Sequence, residues 1–280
     1  GISGYAVDRS DNGGAFVTIA WGINGTSFSE IGLAEGNYVY RIMAKDFAGN
    51  TNLSSDSTAV VVDTTAPGAP TITSPADGTT TADNTPTLVG TAEANSSMEI
   101  FDGAGSLGTT SADGLGDWSF TTGTLTDGAH ALTATATDGV GNASSPSTAV
   151  NLTVDTAGPA APVISSPSNG TSTNNNAPTL VGTAEANSTV EIFDGAVSQG
   201  TAPVDGVGDW SFGMSTLSDG AYALTARATD GVGNVSTPSA VLNLTIDTAA
   251  PSAPGTPSGA PNPNSGSFTV SWTASASPDV

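Results

Sequence analysis

Short runs of Val, Ile, Leu and Thr alternate with polar residues along the chain, and clusters of Gly, Ser, Asn, Asp and Pro interrupt them about every 8 to 12 residues. Leu132-Thr-Ala-Thr-Ala136-Thr137 has period two, as do Val150-Asn-Leu152-Thr-Val154 and Val190-Glu-Ile192. Each such run places apolar side chains on one face of an extended strand and polar ones on the other. Nothing reads as a helix of useful length. Over one stretch the pattern predicts strands at 70–74, 86–92, 97–101, 106–111, 117–122, 129–137 and 148–154. That density of short strands predicts an all-β chain of sandwich domains.

The pattern repeats. Asp63, Asp155 and Asp247 are spaced 92 residues apart, and the same interval links Glu93 to Glu185, Trp118 to Trp210, Asp138 to Asp230 and Asn142 to Asn234. A fixed period of domain size describes a string of equivalent units and not a solenoid of short stacked repeats. Boundaries follow at 1–63, 64–155, 156–247 and 248–280. Residues 248–280 and 1–63 read as the two parts of one further domain: Phe268-Thr-Val-Ser-Trp272 supplies a strand, and Gly1-Ile-Ser-Gly-Tyr5-Ala-Val7 continues as the next. The expectation is that the 280 residues form one period of something longer. Either the period is encoded many times over, or separate subunits join head to tail and complete half domains in their neighbours. Each of the segments 63–70, 155–162 and 247–254 carries two prolines, which makes the connections short and semi-rigid.

The segments Pro86-Thr-Leu-Val-Gly-Thr-Ala-Glu-Ala-Asn95, Gly116-Asp-Trp-Ser-Phe120 and Ala134-Thr-Ala-Thr-Asp-Gly-Val-Gly-Asn142 resemble the bacterial immunoglobulin-like repeats of giant surface adhesins. Ser271-Trp272-Thr273 and Tyr38-Val-Tyr-Arg-Ile-Met-Ala-Lys-Asp-Phe-Ala-Gly-Asn50 are similar to fibronectin type III modules. The resemblance implies tandem immunoglobulin-like and fibronectin type III-like β-sandwiches in an elongated rod. Residues 1–63 would then be the C-terminal part, and 248–280 the N-terminal part, of a fibronectin-like domain. Leu33-Ala-Glu-Gly36-Asn-Tyr38 has the form of a tyrosine corner, in which a Tyr hydroxyl reaches back to the backbone. Tyr222 stands at the equivalent place in one unit and His130 in the other.

Charge sharpens the picture. Twenty-six carboxylates face four cations, for a formal charge of −22. Such a surface keeps extracellular repeats apart and repels nucleic acid. Along the predicted strands, Asp63, Glu93 and Asp138 return to one pole of a unit, with Asp113 and Asp117 nearby. Two unit charges about 4 Å apart interact by roughly 4 kcal/mol at an effective dielectric near 20, so such a cluster without a counter-ion would push neighbouring domains apart. Calcium suits flexible loops rich in carboxylate and carbonyl oxygens. The adhesin resemblance implies interdomain calcium held by Asp63, Glu93 and Asp138, by Asp155, Glu185 and Asp230, and by Asp247 with Asp279 and Asp46. Asn142 and Asn234 are expected to add oxygens. The competing expectation is that these acids cap turns, as Asp does in Asp-Gly sequences such as Asp102-Gly103, Asp127-Gly128, Asp194-Gly195 and Asp219-Gly220.

There is no cysteine, so disulfides and thiolate metal sites play no part. No run of about 18 apolar residues occurs, and any spanning or targeting segment is expected outside these residues. A single His130 without a nucleophile beside it argues against catalysis, and the four tryptophans are expected in strand cores. Sequons at Asn24, Asn95, Asn151, Asn187 and Asn243 leave glycosylation open. The expected role is a structural extender of a cell-surface or secreted adhesin fibre that supports adhesion or biofilm. Its expected partners are neighbouring repeats or subunits, with any surface or glycan ligand at a tip elsewhere. The alternatives are a filament subunit completed by exchange of half domains, and a carbohydrate-binding array of a secreted enzyme, which requires an exposed aromatic platform.

Overall fold

The computed structural model describes residues 1–261 and 268–275, and its chain divides into two compact units: Gly1–Thr79 with Asn84–Val154, and Thr80–Asp83 with Asp155–Val280. Every regular element among the described residues is a β-strand. In the first unit an N-terminal antiparallel sheet contains β1 (Ile2–Asp11), β2 (Val17–Ile23), β3 (Gly36–Asp46), β4 (Thr51–Leu53) and β5 (Val60–Val62). Its order is β2-β1-β3-β4, with β5 also paired to β3.

The first repeat contributes β6 (Thr71–Ser74), β7 (Thr79–Thr81), β8 (Thr87–Thr91), β9 (Ser97–Asp102), β10 (Gly105–Ser111), β11 (Asp117–Thr121), β12 (Gly128–Thr137) and β13 (Val150–Val154). They form two layers, β11-β8-β6 and β10-β9-β12-β13-β7. The second repeat has the same plan, with β14 (Val163–Ser166), β15 (Thr171–Thr173), β16 (Thr179–Thr183), β17 (Thr189–Asp194), β18 (Val197–Pro203), β19 (Asp209–Gly213), β20 (Gly220–Thr229) and β21 (Leu242–Ile246). Its layers are β14-β16-β19 and β15-β21-β20-β17-β18. A hairpin of β22 (Ser258–Pro261) and β23 (Phe268–Ser271) follows.

Each repeat therefore has eight strands where the apolar pattern predicts seven. The additional one, β7 or β15, reads Thr-Thr-Thr or Thr-Ser-Thr and carries no apolar residue, so it has no period-two signal. β15 forms because β21 offers it a parallel ladder, a tertiary partner that no local pattern announces.

The cores sit between the two layers of each repeat and coincide at the 92-residue spacing. Leu88 and Leu180, Ile100 and Ile192, Leu132 and Leu224, and Leu152 and Leu244 are all at most 2% exposed. Each fully buried side chain of this size contributes about 1.5–3 kcal/mol. Trp118 and Trp210 lie in these cores as expected. Trp21 and Trp272 do not: each is 62% exposed. Among the described residues β2, which carries Trp21, pairs only with β1, and β23, which Trp272 follows, pairs only with β22.

Close approach of neighbouring strands within the three-stranded layer depends on glycine. A Cβ on Gly90 would lie 1.9 Å from the Thr71 carbonyl oxygen and 2.8 Å from the Trp118 ring, and Gly182 meets Val163 and Trp210 in the same way. Backbone cannot yield as a flexible side chain does. Gly90→Ala is therefore expected to destabilise the first repeat by about 3 kcal/mol while the transition of the second repeat stays in place, as read by differential scanning calorimetry.

Candidate functional site

The polar chemistry of the chain collects in the loops and linkers that bound each repeat. β12 runs into the turn Asp138–Asn142, where Gly141 takes a φ of 104° that only glycine adopts without strain. The turn is organised by one carboxylate: Asp138 Oδ1 accepts from the backbone amides of Val140 at 2.9 Å, Gly141 at 2.7 Å and Asn142 at 2.9 Å. The Asn142 amide donates to Asp138 Oδ2 at 2.7 Å and to the Asp63 carbonyl at 3.0 Å. Both neighbours are acceptors, so Nδ2 is the atom that faces them. The second repeat reproduces the set, with Asn234 Nδ2 2.9 Å from Asp230 Oδ2 and 2.8 Å from the Asp155 carbonyl. A third copy ends β3, where Asp46 accepts from the amides of Ala48 and Asn50 and from Asn50 Nδ2. Burial pushes the carboxyls of Asp138 and Asp230 up, but the asparagine side chains and loop amides outweigh it and hold both below the usual carboxylate range.

The linker residues are capped as well. Asp63, Asp155 and Asp247 each accept the backbone amide two residues on, from Thr65, Ala157 and Ala249. Glu35 accepts the hydroxyls of Thr64 and Thr65, each at 2.7 Å. Asp219 accepts both the amide and the hydroxyl of Thr248. Asp113 and Asp205 cap their own hairpin turns. Turn and linker capping thus accounts for most of the acids singled out by position. Asp102 departs from the Asp-Gly expectation, since it binds across the sheet to the Ala131 amide and the His130 ring.

The expected calcium donors are not drawn into a cage. Glu93 and Glu185 offer backbone carbonyls to Ser96 and Ser188 at 2.7 and 2.6 Å. Asp138 and Asp230 spend their oxygens on loop donors, and Asn142 and Asn234 present N–H groups, not oxygens, to the linker. Asp46 is held in its own loop, and Asp279 lies outside the described residues. Among the described residues no group of three or more His, Cys, Asp or Glu is placed to hold a metal ion.

The corners close as their sequences suggest. Tyr38 donates to the Ala34 carbonyl at 2.8 Å, and Tyr222 donates to Ser218 at 2.9 Å. His130 holds the same place with Nε2 2.8 Å from the Thr126 carbonyl and Nδ1 2.7 Å from Asp102 Oδ2. Two acceptors on one ring require two N–H donors, the imidazolium form. The Asp102 hydrogen bond first and the Thr126 carbonyl second raise the His130 pKa, against the opposing effect of burial.

Serines carry a role that sequence reasoning missed. Ser147 and Ser144 accept the Ala134 and Ala136 amides through their hydroxyls, as Ser239 and Ser236 do for Ala226 and Ala228. They take the place of a backbone ladder along β12 and β20. Their recurrence in both repeats was the available signal, but serine-rich segments read equally well as plain loop.

The profile of the bacterial Ig-like domain family matches residues 68–156 and 165–248. Exoglucanase B of Cellulomonas fimi is 33% identical over 246 residues, an alignment covering 80% of this chain and 21% of that protein. The chain thus spans about a fifth of that relative's length. Among solved structures, the fibronectin(III)-like modules of Clostridium thermocellum CbhA are 17% identical with a TM-score of 0.40, covering 64% of this chain and 94% of that one. The chicken CNTN1 FN1-FN3 domains are 13% identical with a TM-score of 0.37, covering 88% and 90%. The BSP domain of a biofilm associated protein is 16% identical with a TM-score of 0.27, covering 76% and 43%.

Two outcomes follow for the loops. Asn142→Ala removes the bonds to Asp63 and Asp138 and is expected to cost about 1 kcal/mol in urea denaturation, with faster amide exchange at Thr65. For His130, the raised pKa means that the corner is fully stabilising below the ordinary value of 6.5 and loses that contribution as pH rises through the folded-state value. The first repeat should therefore melt lower at about pH 8.5 than at about pH 5.5 relative to the second, and His130→Tyr should abolish the difference.

Proposed function

Because this chain belongs to the bacterial Ig-like domain family, we propose that it is a non-catalytic spacer of a large extracellular or cell-surface bacterial protein, an extender of the adhesin type. Its work is mechanical: consecutive sandwiches are fixed to their linkers so that load or position passes from one to the next. The observation that supports this reading is the linker bond made twice at the same spacing, Asn142 to the Asp63 carbonyl and Asn234 to the Asp155 carbonyl. Polar residues at the ends of the repeats are spent on corners, caps and linkers, which is the use a spacer makes of them. No helix among the described residues is long and apolar enough to cross a membrane, and the chain's neighbours would be further repeats or subunits of the same protein.

Rigidification by calcium, implied by the adhesin resemblance, is the competing account of the same junctions. A melting series in chelator and in millimolar calcium separates the two. An unchanged transition together with a lowered one in Asn142→Ala supports amide fastening. A transition raised by calcium and insensitive to Asn142→Ala overturns it in favour of the ion.

A second reading is favoured by the exposure of Trp21 and by the similarity to Exoglucanase B. The chain would then be a module array attached to a secreted polysaccharide-degrading enzyme, with Trp21 stacking on sugar rings. Retention of the chain on cellulose or mixed-linkage glucan in affinity electrophoresis, lost in Trp21→Ala, would establish that reading. Migration unaffected by either polysaccharide removes it.

A further inference from the structure

The asparagine sequons are the chemistry that the spacer reading leaves unused. Nine asparagines begin an Asn-X-Ser/Thr sequence: the five named above together with Asn52, Asn142, Asn169 and Asn234. Sugar is attached at such sequons through the side-chain nitrogen Nδ2, with the hydroxyl two residues on as part of the recognised motif. A folded chain offers a sequon only where both groups are free and outside.

Hydrogen bonding separates the nine. Asn142 and Asn234 each donate to two acceptors, and the hydroxyls that follow them, on Ser144 and Ser236, hold the amides of Ala136 and Ala228. Asn151 donates to Asp77 at 2.9 Å, and Asn243 donates to Asn169 at 3.1 Å. Asn169 is the acceptor of that bond, and its Thr171 hydroxyl donates to the Ser168 carbonyl at 2.7 Å. Asn52 is exposed, but it lies in the ladder of β4 against β3, and its Ser54 hydroxyl accepts the Ile42 amide and donates to the Ser55 carbonyl.

Three sequons remain: Asn24-Gly-Thr26, Asn95-Ser-Ser97 and Asn187-Ser-Thr189. Their asparagines and their hydroxyl residues are all exposed, and none of these six side chains has a hydrogen-bond partner among the described residues. Asn24 directly follows β2. Asn95 and Asn187 are counterparts in the two repeats, each the third residue of a turn closed by the Ser96 or Ser188 amide on the Glu93 or Glu185 carbonyl. Their φ values of 62° and 64° are left-handed, a conformation that asparagine tolerates on its own account. That accounts for the asparagines. It makes no use of the Ser97 and Thr189 hydroxyls.

We propose that Asn24, Asn95 and Asn187 are N-glycosylation sites of the folded protein, each taking a hexose from a nucleoside-diphosphate sugar. In the transfer the bond from sugar C1 to the diphosphate oxygen breaks, and the nucleoside diphosphate leaves with the electron pair. The Nδ2–C1 bond forms, and Nδ2 gives up one proton to a base of the transferase. The chain is the acceptor in this reaction. The inference goes beyond the spacer reading and does not depend on it.

The test incubates the folded full chain with UDP-glucose and a soluble asparagine glucosyltransferase already shown to modify proteolytic peptides of the same chain. Intact mass and peptide mapping read the product. The chain should gain three hexoses, at Asn24, Asn95 and Asn187, with transfer to the other six asparagines about tenfold slower or more, because a bonded group must first be freed there. Ser97→Ala should remove the hexose from Asn95, and Thr189→Val the one from Asn187. Both variants keep the asparagine in its turn, and unchanged calorimetric transitions of the repeats serve as the folding control. Peptide maps of the protein recovered from the cells that make it should carry sugar at the same three residues. A bare asparagine at any of the three in either material overturns the proposal, and so do comparable rates at the other six or a hexose kept by Asn95 in Ser97→Ala. Those results leave the spacer reading standing, because that reading is judged by the junction melts of the complete repeats.

Discussion

A five-stranded sheet with one apolar face keeps its shape in water only when something covers that face, and in the complete repeats the covering layer is three strands wide. Leu88 and Leu180 reach from it into cores that exclude solvent almost completely, and Gly90 and Gly182 leave room within it for the Trp118 and Trp210 rings on the neighbouring strand. Corners, linkers and serine-held edges are built on this contact. The N-terminal sheet keeps its strand pairing and buries Ala6, Val7 and Tyr38. Backbone ladders set the sheet, and interlayer contact sets the domain.

The carboxylates carry a second constraint. A chain with so few cations cannot neutralise its acids by ion pairing, and the structure gives many of them backbone amides and hydroxyls instead. Asp138, Asp230 and Asp46 each organise one turn, Glu35 receives Thr64 and Thr65, and Asp219 receives Thr248. Hydrogen bonds to the charged form stabilise it, so Asp138, Asp230, Asp46 and Glu35 are held below the usual carboxylate range while they order the loops at the repeat boundaries. Two of the four cations are used differently. Arg9 pairs with Asp11 and Glu30 and lies over the Tyr38 ring, and Arg41 pairs with the buried Asp8 and lies over Phe16. These pairings concentrate in the N-terminal sheet, where apolar burial is incomplete.

Period-two alternation, the turn residues and the 92-residue repeat were enough to specify an all-β chain of equivalent sandwiches, the positions of most strands and the buried pair Trp118 and Trp210. These follow from local rules: side chains alternate along a strand, and glycine, proline and aspartate mark its ends. The tyrosine corners were equally legible, because donor and acceptor lie four residues apart. Partnership across the sequence was not. Which atoms Asn142 and Asn234 turn toward the linker depends on what stands opposite them, and the Asp63 and Asp155 carbonyls made them donors where the residue types alone suggested oxygens for a cation. The strand at Thr171–Thr173 exists only because β21 pairs with it. Trp21 and Trp272 look like core residues in one dimension and are exposed in three, because burial depends on a second layer and no local pattern says whether one is there.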